Sequence, residues 1–181
     1  MKDLELALLQ SNAVDTAWRI HQAQVDWTGK VDAKATFAFA IESAAIATVV
    51  ALTATDRLYS SLVGIWQAVY YLGLVSLMVA AGFAALVVIP RLRSKHLQKE
   101  SDDNFVYFGH ARLWNASDLE LALVSRDILP QLSRQIVGMA QIAWTKHVRV
   151  QWSFRLAALG GVALVLCGLA AGTSWLGFLL P

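Results

Sequence analysis

Cysteine is nearly absent from this sequence, and so is any large excess of positive charge. The only cysteine, Cys167, lies in an apolar run, so neither an intrachain disulfide nor a CxxC metal or redox site can form. A formal net charge of +2 is too small to bind DNA or RNA through bulk electrostatics. We therefore expect no centre of paired thiols and no nucleic-acid partner.

The motifs of common hydrolases and metalloenzymes are also missing. The four histidines form no HExxH-like pattern, and the chain contains neither a GxSxG motif nor a P-loop. We therefore predict no catalytic residue, no metal site and no enzymatic activity. A membrane-bound hydrolase that uses His110 is a disfavoured alternative, because no nucleophile and base stand beside each other in the sequence.

Apolar residues are abundant in this sequence, and they form long segments. Apolar residues make up 57% of its 181 residues and the mean hydropathy is +0.51, too apolar for an ordinary soluble domain. Three segments, residues 35–55, 62–89 and 156–180, reach the roughly 20 residues that a spanning helix needs. Residues 56–61 form a hairpin between the first two, and Pro90 stops the second. The sequence predicts an all-α integral membrane protein with three transmembrane helices.

Charged residues concentrate in two blocks outside these spans. Helical periodicity predicts an N-terminal helix over residues 1–34 and a helical region over residues 90–155. In the second block, Ser117 and Glu120 match a capping box, and Pro130 suits the first turn of a long helix. The two blocks together should form a small helical cytoplasmic layer.

The distribution of Lys and Arg predicts the orientation. Residues 1–35 contain four and residues 91–155 contain ten, whereas the hairpin has only Arg57 and the C-terminal tail has none. Because Lys and Arg accumulate on the cytoplasmic side, the N-terminus should be cytoplasmic and the C-terminus periplasmic. The N-terminal sequence lacks the basic-then-apolar layout of a signal peptide, so we expect internal spans to anchor the chain in the inner membrane.

Glu42 is the one acidic residue inside the predicted spans. It lies about 10 Å into the first span, where a carboxylate costs a few kcal/mol unless it faces protein or water. Its helix face is small or apolar, formed by Ala35, Ala38, Ala45 and Val49. Two interpretations stay open: Glu42 braces the helix bundle through a hydrogen bond, or it lines a polar path or gate.

A GxxxG spacing in the third span is a second packing feature. Gly168 and Gly172 would let another helix approach closely, although a Gly- and Ala-rich helix produces this pattern by chance as well. We consider the pair a candidate contact in a homo-oligomer.

The cytoplasmic blocks contain side chains suited to a nucleotide. Arg134 and Gln135 precede Lys146 on one predicted helix, and a glutamine amide can pair with a base edge while Arg or Lys meets a phosphate. Tyr107 and Trp114 could stack on a base. Taken singly, each is better explained as solvated surface or as a core aromatic.

At these positions the chain resembles the transmembrane effectors of Pycsar antiphage systems (PycTM type). The similarity covers most of residues 25–155, and the order of its short pieces around the spans is more specific than any one of them. The pieces are Trp27 with Asp32-Ala-Lys34-Ala35 before the first span, Tyr107-Phe108-Gly109-His110, and Asp127, Gln135, Ile136, Ala143 and Lys146 before the last span.

The resemblance implies a two-gene defence. A neighbouring pyrimidine cyclase would make cyclic CMP or cyclic UMP on infection, and the effector would sense it, impair the inner membrane and cause abortive infection. No other cofactor is implied. With Arg134 added, the candidate ligand-binding residues are Asp32, Lys34, Tyr107, His110, Arg134, Gln135 and Lys146. The alternative function is a non-signalling membrane scaffold, or a small subunit of a membrane complex.

Overall fold

The structure, a computed structural model, describes residues 1–90 and 97–179, without the side chains of Asp3 and residues 173–179. This part of the chain contains six α-helices, a 3₁₀ turn at Ser101–Asp103 and no strand. The helices are α1 (Lys2–Ala51), α2 (Ile65–Val88), α3 (Leu97–Glu100), α4 (Phe108–Ala111), α5 (Ala116–Ser125) and α6 (Leu129–Leu179). Segments of α1, α2 and α6 are long and apolar enough to cross a membrane. The predicted all-α, three-span fold class is confirmed.

The chain divides into two compact units. Unit A contains residues 1–30 and 90–145, and unit B contains residues 31–89 and 146–181. Because α1 and α6 each run through a unit boundary, both helices contribute to both units. Gly29 does not interrupt α1, so the N-terminal helix continues without a break into the first span.

The three helices of unit B bury residues at alternating intervals of four and three. This 3.5-residue period is typical of helices that pack side by side as in a coiled coil. On α1 the buried or half-buried residues with this spacing are Val31, Ala35, Ala38, Glu42, Ala45 and Val49. On α2 they are Tyr70, Gly73, Leu77, Ala80, Ala84 and Val87. On α6 they are Lys146, Val150, Ser153, Ala157, Gly160, Leu164, Cys167 and Ala171.

Two glycines allow α2 and α6 to approach each other closely. A Cβ atom added to Gly160 would lie 2.7 Å from the carbonyl oxygen of Gly73, and one added to Gly73 would lie 3.0 Å from Leu164. Nearby, the Ser76 hydroxyl donates a hydrogen bond of 2.8 Å to the carbonyl oxygen of Leu156. Small residues at this crossing therefore give van der Waals contact and an interhelical hydrogen bond, which stabilise helix pairs in lipid.

Helix α5 in unit A begins differently from the prediction. Its N-cap is Asn115, whose side-chain amide donates to Asp118, so Ser117 is already inside the helix and the predicted capping box is wrong. Asn is as good an N-cap as Ser, and it stands two residues earlier. The prediction for Pro130 is confirmed, because it occupies the first turn of α6. The Asp127 carboxylate caps this helix by accepting from the backbone amide of Leu129 at 3.0 Å.

Candidate functional site

Asp32 and Lys146, two of the candidate ligand-binding residues, form an ion pair between α1 and α6 in unit B. Lys146 Nζ lies 2.6 Å and 2.7 Å from the two carboxylate oxygens of Asp32. The Lys146 side chain is 21% exposed and that of Asp32 is 38% exposed, so the pair is partly shielded from solvent. Lys146 also occupies a position in the buried seam of α6, where most members are apolar or small. The pair therefore fixes α1 and α6 to each other in a definite register.

Lys34 does not join this pair. It lies on α1 two residues after Asp32 and is exposed. Residues two apart on a helix do not face each other, which explains the separation. An exposed ammonium group in this position is available to an anion from solution.

Glu42 is buried in unit B and forms a hydrogen bond with α6. Its side chain is 3% exposed, and its Oε1 accepts a hydrogen bond of 2.7 Å from the Ser153 hydroxyl, which is fully buried. Its Oε2 has no hydrogen-bond partner among the described residues. The predicted small face around it is confirmed, since Ala35, Ala38 and Val49 are all buried. This geometry favours the interpretation that Glu42 braces the bundle.

Substitutions of Glu42 separate bracing from a charge-dependent gate. Glu42→Gln should preserve the melting temperature, because its carbonyl oxygen still accepts from Ser153. Glu42→Leu removes the acceptor and should lower stability by roughly 0.6–1.7 kcal/mol, the range of interhelical hydrogen bonds in membranes. Thermal unfolding in detergent measures the stability of both Glu42 variants. Ser153→Ala, which removes the donor of the same hydrogen bond, is the matched control. A Glu42→Gln protein as unstable as Glu42→Leu would contradict bracing.

Tyr107 and His110 lie together around helix α4 in unit A. Their rings meet edge to face with centroids 5.4 Å apart. An alanine at Gly109 would collide with the Tyr107 ring, so the ring keeps its present position only beside a glycine. The resemblance did not reveal this role of Gly109, because it depends on where the Tyr107 ring lies.

The His110 ring is 5% exposed, and neither nitrogen has a hydrogen-bond partner among the described residues. Its Nε2 lies 3.5 Å from Glu100 Oε2, a distance that suits an ion pair only when the ring is protonated. Burial against Glu100 and Tyr107 leaves His110 little access to a substrate. No group of three potential metal-ligating side chains occurs within the described ranges.

Arg134 and Gln135 sit at the start of α6, next to the loop that follows α3. The Arg134 guanidinium donates to the Asn104 side chain at 2.9 Å and remains exposed, while Gln135 is half-buried. Sequence reasoning missed Gln131, one turn earlier, which is 6% exposed and accepts a hydrogen bond of 3.0 Å from the Phe105 amide. Its burial fixes the loop to α6, and a helical-wheel pattern cannot distinguish a buried glutamine from an exposed one.

Trp114 fixes the same loop from its other side. Its indole Nε1 donates to the carbonyl oxygens of Ser101 and Asn104, and its ring packs edge to face against Phe105. The Arg126 guanidinium lies 5.3 Å from the centre of that ring. Trp114 is therefore a structural aromatic here, so Tyr107 is the better placed of the two for stacking on a base.

The two glycines of the third-span GxxxG pattern have different surroundings. A Cβ added to Gly168 would lie 3.5 Å from Leu58 and from the Tyr59 hydroxyl, within the same chain. One added to Gly172 would meet nothing within 4 Å. Gly172 is thus the member of the pair with space for another helix.

Two contacts join candidate residues, each within one unit: Asp32 pairs with Lys146 in unit B, and Tyr107 packs against His110 in unit A. Arg134 and Gln135 also lie in unit A, where Arg134 contacts Asn104 of the loop that follows α3; these four residues of unit A are called the loop group. The loop group offers an aromatic ring, an exposed guanidinium and an amide, which suit a small anionic ligand carrying a base.

Comparison with known proteins identifies the family. The model of a family described as Pycsar effector protein domain matches residues 16–173, which include α2, most of α1 and α6, and all the candidate ligand-binding residues. No curated protein and no solved structure matches the chain. This family is not a known enzyme family, and it implies membrane association and a functional link to a cyclase. The chain therefore belongs to the Pycsar effector family, whose members act in antiviral defence.

Proposed function

We propose that this protein is the membrane-impairing effector of a Pycsar system, activated by cyclic CMP or cyclic UMP from its partner cyclase. The family match over residues 16–173 is the observation that carries the proposal. Three apolar helices provide the membrane part, and the loop of unit A provides polar and aromatic side chains for a ligand. The protein acts without enzymatic chemistry, as a homo-oligomer whose rearrangement makes the inner membrane leak and aborts the infection.

The nucleotide site proposed here centres on unit A. Arg134 would meet the cyclic phosphate, Gln135 the edge of the pyrimidine, and Tyr107 its face. His110 supports Tyr107 through the edge-to-face contact. In unit B, Lys34 and Lys146 are separate candidate cations for a nucleotide phosphate, and Lys146 can serve only by leaving Asp32. Competition between phosphate and the Asp32 carboxylate for Lys146 would couple ligand binding to the α1–α6 contact.

The orientation proposed for the chain follows the positive charges. Unit A, which contains most of the Lys and Arg, would face the cytoplasm where a cyclase product accumulates, and the C-terminus would face the periplasm. A C-terminal alkaline phosphatase fusion should then be active, and the same fusion at residue 145 inactive. The reverse pattern would refute this orientation.

The function is tested by expressing the protein with its neighbouring cyclase during phage infection. A membrane-potential dye should report depolarisation before lysis, and none when the cyclase carries an inactivating substitution. Arg134→Gln should abolish the response while the protein remains in the membrane, because the cationic contact with the phosphate is lost, along with one exposed hydrogen bond to Asn104. Arg155→Gln, at an exposed arginine of α6 outside the loop, is the control. No depolarisation in infected cells that contain the active cyclase would contradict the proposal and favour the scaffold alternative.

A further inference from the structure

A polar pocket lies in unit B between the turn after α1 and the first part of α2. Its volume is about 490 Å³, within the size range of small-molecule sites. None of the candidate ligand-binding residues lines it, and the proposed function does not use it. The side chains that define it are Thr53, Asp56, Tyr59, Gln67, Tyr70 and Tyr71.

Interlocking hydrogen bonds hold the walls of this pocket. The Thr53 hydroxyl and the Tyr70 hydroxyl lie 2.7 Å apart, and the Tyr59 hydroxyl donates to the carbonyl oxygen of Leu164 at 3.0 Å. Burial raises the pKa of Tyr59, so the hydroxyl keeps the proton that it donates. The backbone amide of Tyr59 also donates to the carbonyl oxygen of Leu52. The pocket is thus built by the fold before any ligand binds.

Asp56 gives the pocket its charge. It is the only charged residue in the lining, and no cation lies within ion-pairing distance of it among the residues that the structure describes. Its φ of 61° places it in the left-handed region, which Asp and Asn tolerate better than other side chains. A non-glycine residue in this conformation is a common feature of functional sites.

The residues that line the pocket indicate which class of ligand it can bind. A single carboxylate with no cation beside it disfavours a phosphate inside the pocket, and therefore a cyclic nucleotide; the phosphate of a lipid head group would have to stay at the pocket mouth. Calcium and magnesium are also disfavoured, because they need more oxygen ligands with several charges. Three tyrosine rings lie together, with centroids 5.2 Å apart for Tyr59 and Tyr70 and 5.4 Å apart for Tyr70 and Tyr71. Aromatic faces beside a carboxylate are the arrangement that recognises organic ammonium ions.

We propose that this pocket binds an organic ammonium group, with Asp56 as counter-ion and the exposed Tyr71 ring, supported by the buried Tyr70, as cation–π partner. The turn joins two helices that are long and apolar enough to span a membrane, so it lies at the depth of lipid head groups. The ligand is therefore the amine of a phosphatidylethanolamine head group or a free amine of the same chemistry.

Native mass spectrometry of the purified full chain tests this site. Micelles doped with phosphatidylethanolamine should give one retained lipid per chain, and micelles doped with phosphatidylglycerol should not. Asp56→Asn should weaken retention about tenfold, equivalent to about 1.4 kcal/mol, and it leaves the turn intact because Asn also tolerates a positive φ. Asp26→Asn, at an exposed acid of α1 in unit A, is the matched control and should bind normally.

Tyr71→Leu provides a second variant, because Tyr71 is 56% exposed and its replacement leaves the core intact. It should also weaken retention, since one aromatic face is lost. Added ethanolamine should displace the lipid when the two share the site. Binding of ethanolamine without binding of the lipid would assign the free amine as the ligand. Equal retention of both lipids, or retention unchanged by Asp56→Asn, would overturn the proposal.

Discussion

Gly160→Ala should be about 1–3 kcal/mol less stable than Gly161→Ala, although the two substitutions are chemically identical and adjacent. The added methyl group at position 160 would meet the Gly73 carbonyl oxygen at 2.7 Å and the Leu77 backbone at 3.2 Å. At position 161 it meets nothing within 4 Å. Both variants gain the same helix propensity, so the difference in their stabilities isolates the clash between α2 and α6.

The comparison is best made by unfolding both proteins in mixed micelles with increasing SDS, followed by tryptophan fluorescence. We expect the Gly161→Ala protein to be the more stable of the two, and the Gly160→Ala protein to unfold at a clearly lower SDS content. Gly73→Ala should resemble Gly160→Ala, because an added Cβ there lies 3.0 Å from Leu164. Equal stability of the Gly160 and Gly161 variants would show that α2 and α6 do not cross at these glycines.

Breaking the Asp32–Lys146 pair should activate the protein without a ligand. A partly exposed ion pair contributes roughly 1 kcal/mol, so its loss would raise the active-to-resting ratio about fivefold if the pair forms only in the resting state. Asp32→Asn should therefore increase membrane depolarisation in cells that lack the cyclase. Asp26→Asn, which removes an exposed acid of the same helix, should leave depolarisation unchanged.

The charge-swapped protein, Asp32→Lys with Lys146→Asp, separates the two roles proposed for Lys146. Restored pairing should return the basal depolarisation to the wild-type level. If Lys146 also binds the nucleotide phosphate, the swapped protein should then fail to respond to the cyclase. A swapped protein that responds normally would limit Lys146 to the helix contact. High basal depolarisation that persists in the swap would contradict a resting-state role for the pair.

The features predictable from the sequence are those with a local cause. Apolar length predicts the three spanning helices, and the absence of a strong breaker around Gly29 predicts the continuity of α1. The helical period predicts which residues share the face of Glu42. Pro130 at the start of α6 follows from proline's fixed φ and missing amide hydrogen.

The features that could not be predicted depend on residues far apart in the chain. Asp32 and Lys146 are separated by 114 positions, and their pairing follows from how α1 packs against α6. The close crossing at Gly73 and Gly160 places one glycine on each helix, so a search for GxxxG within one helix finds Gly168 and Gly172 instead. The start of α5 was misplaced because Asn115 and Ser117 are equally good caps by residue type. The Asp56 pocket needs a turn and two helices to exist.

The most direct test of ligand-activated membrane impairment uses the purified protein in lipid vesicles that hold a potassium diffusion potential. Cyclic CMP or cyclic UMP at micromolar concentration should collapse the potential within minutes, whereas cyclic AMP and vesicles without protein should show no change. Arg134→Gln should make the vesicles insensitive to both pyrimidine nucleotides. A potential that persists in the presence of both cyclic pyrimidines, with the protein folded and inserted, would contradict this function.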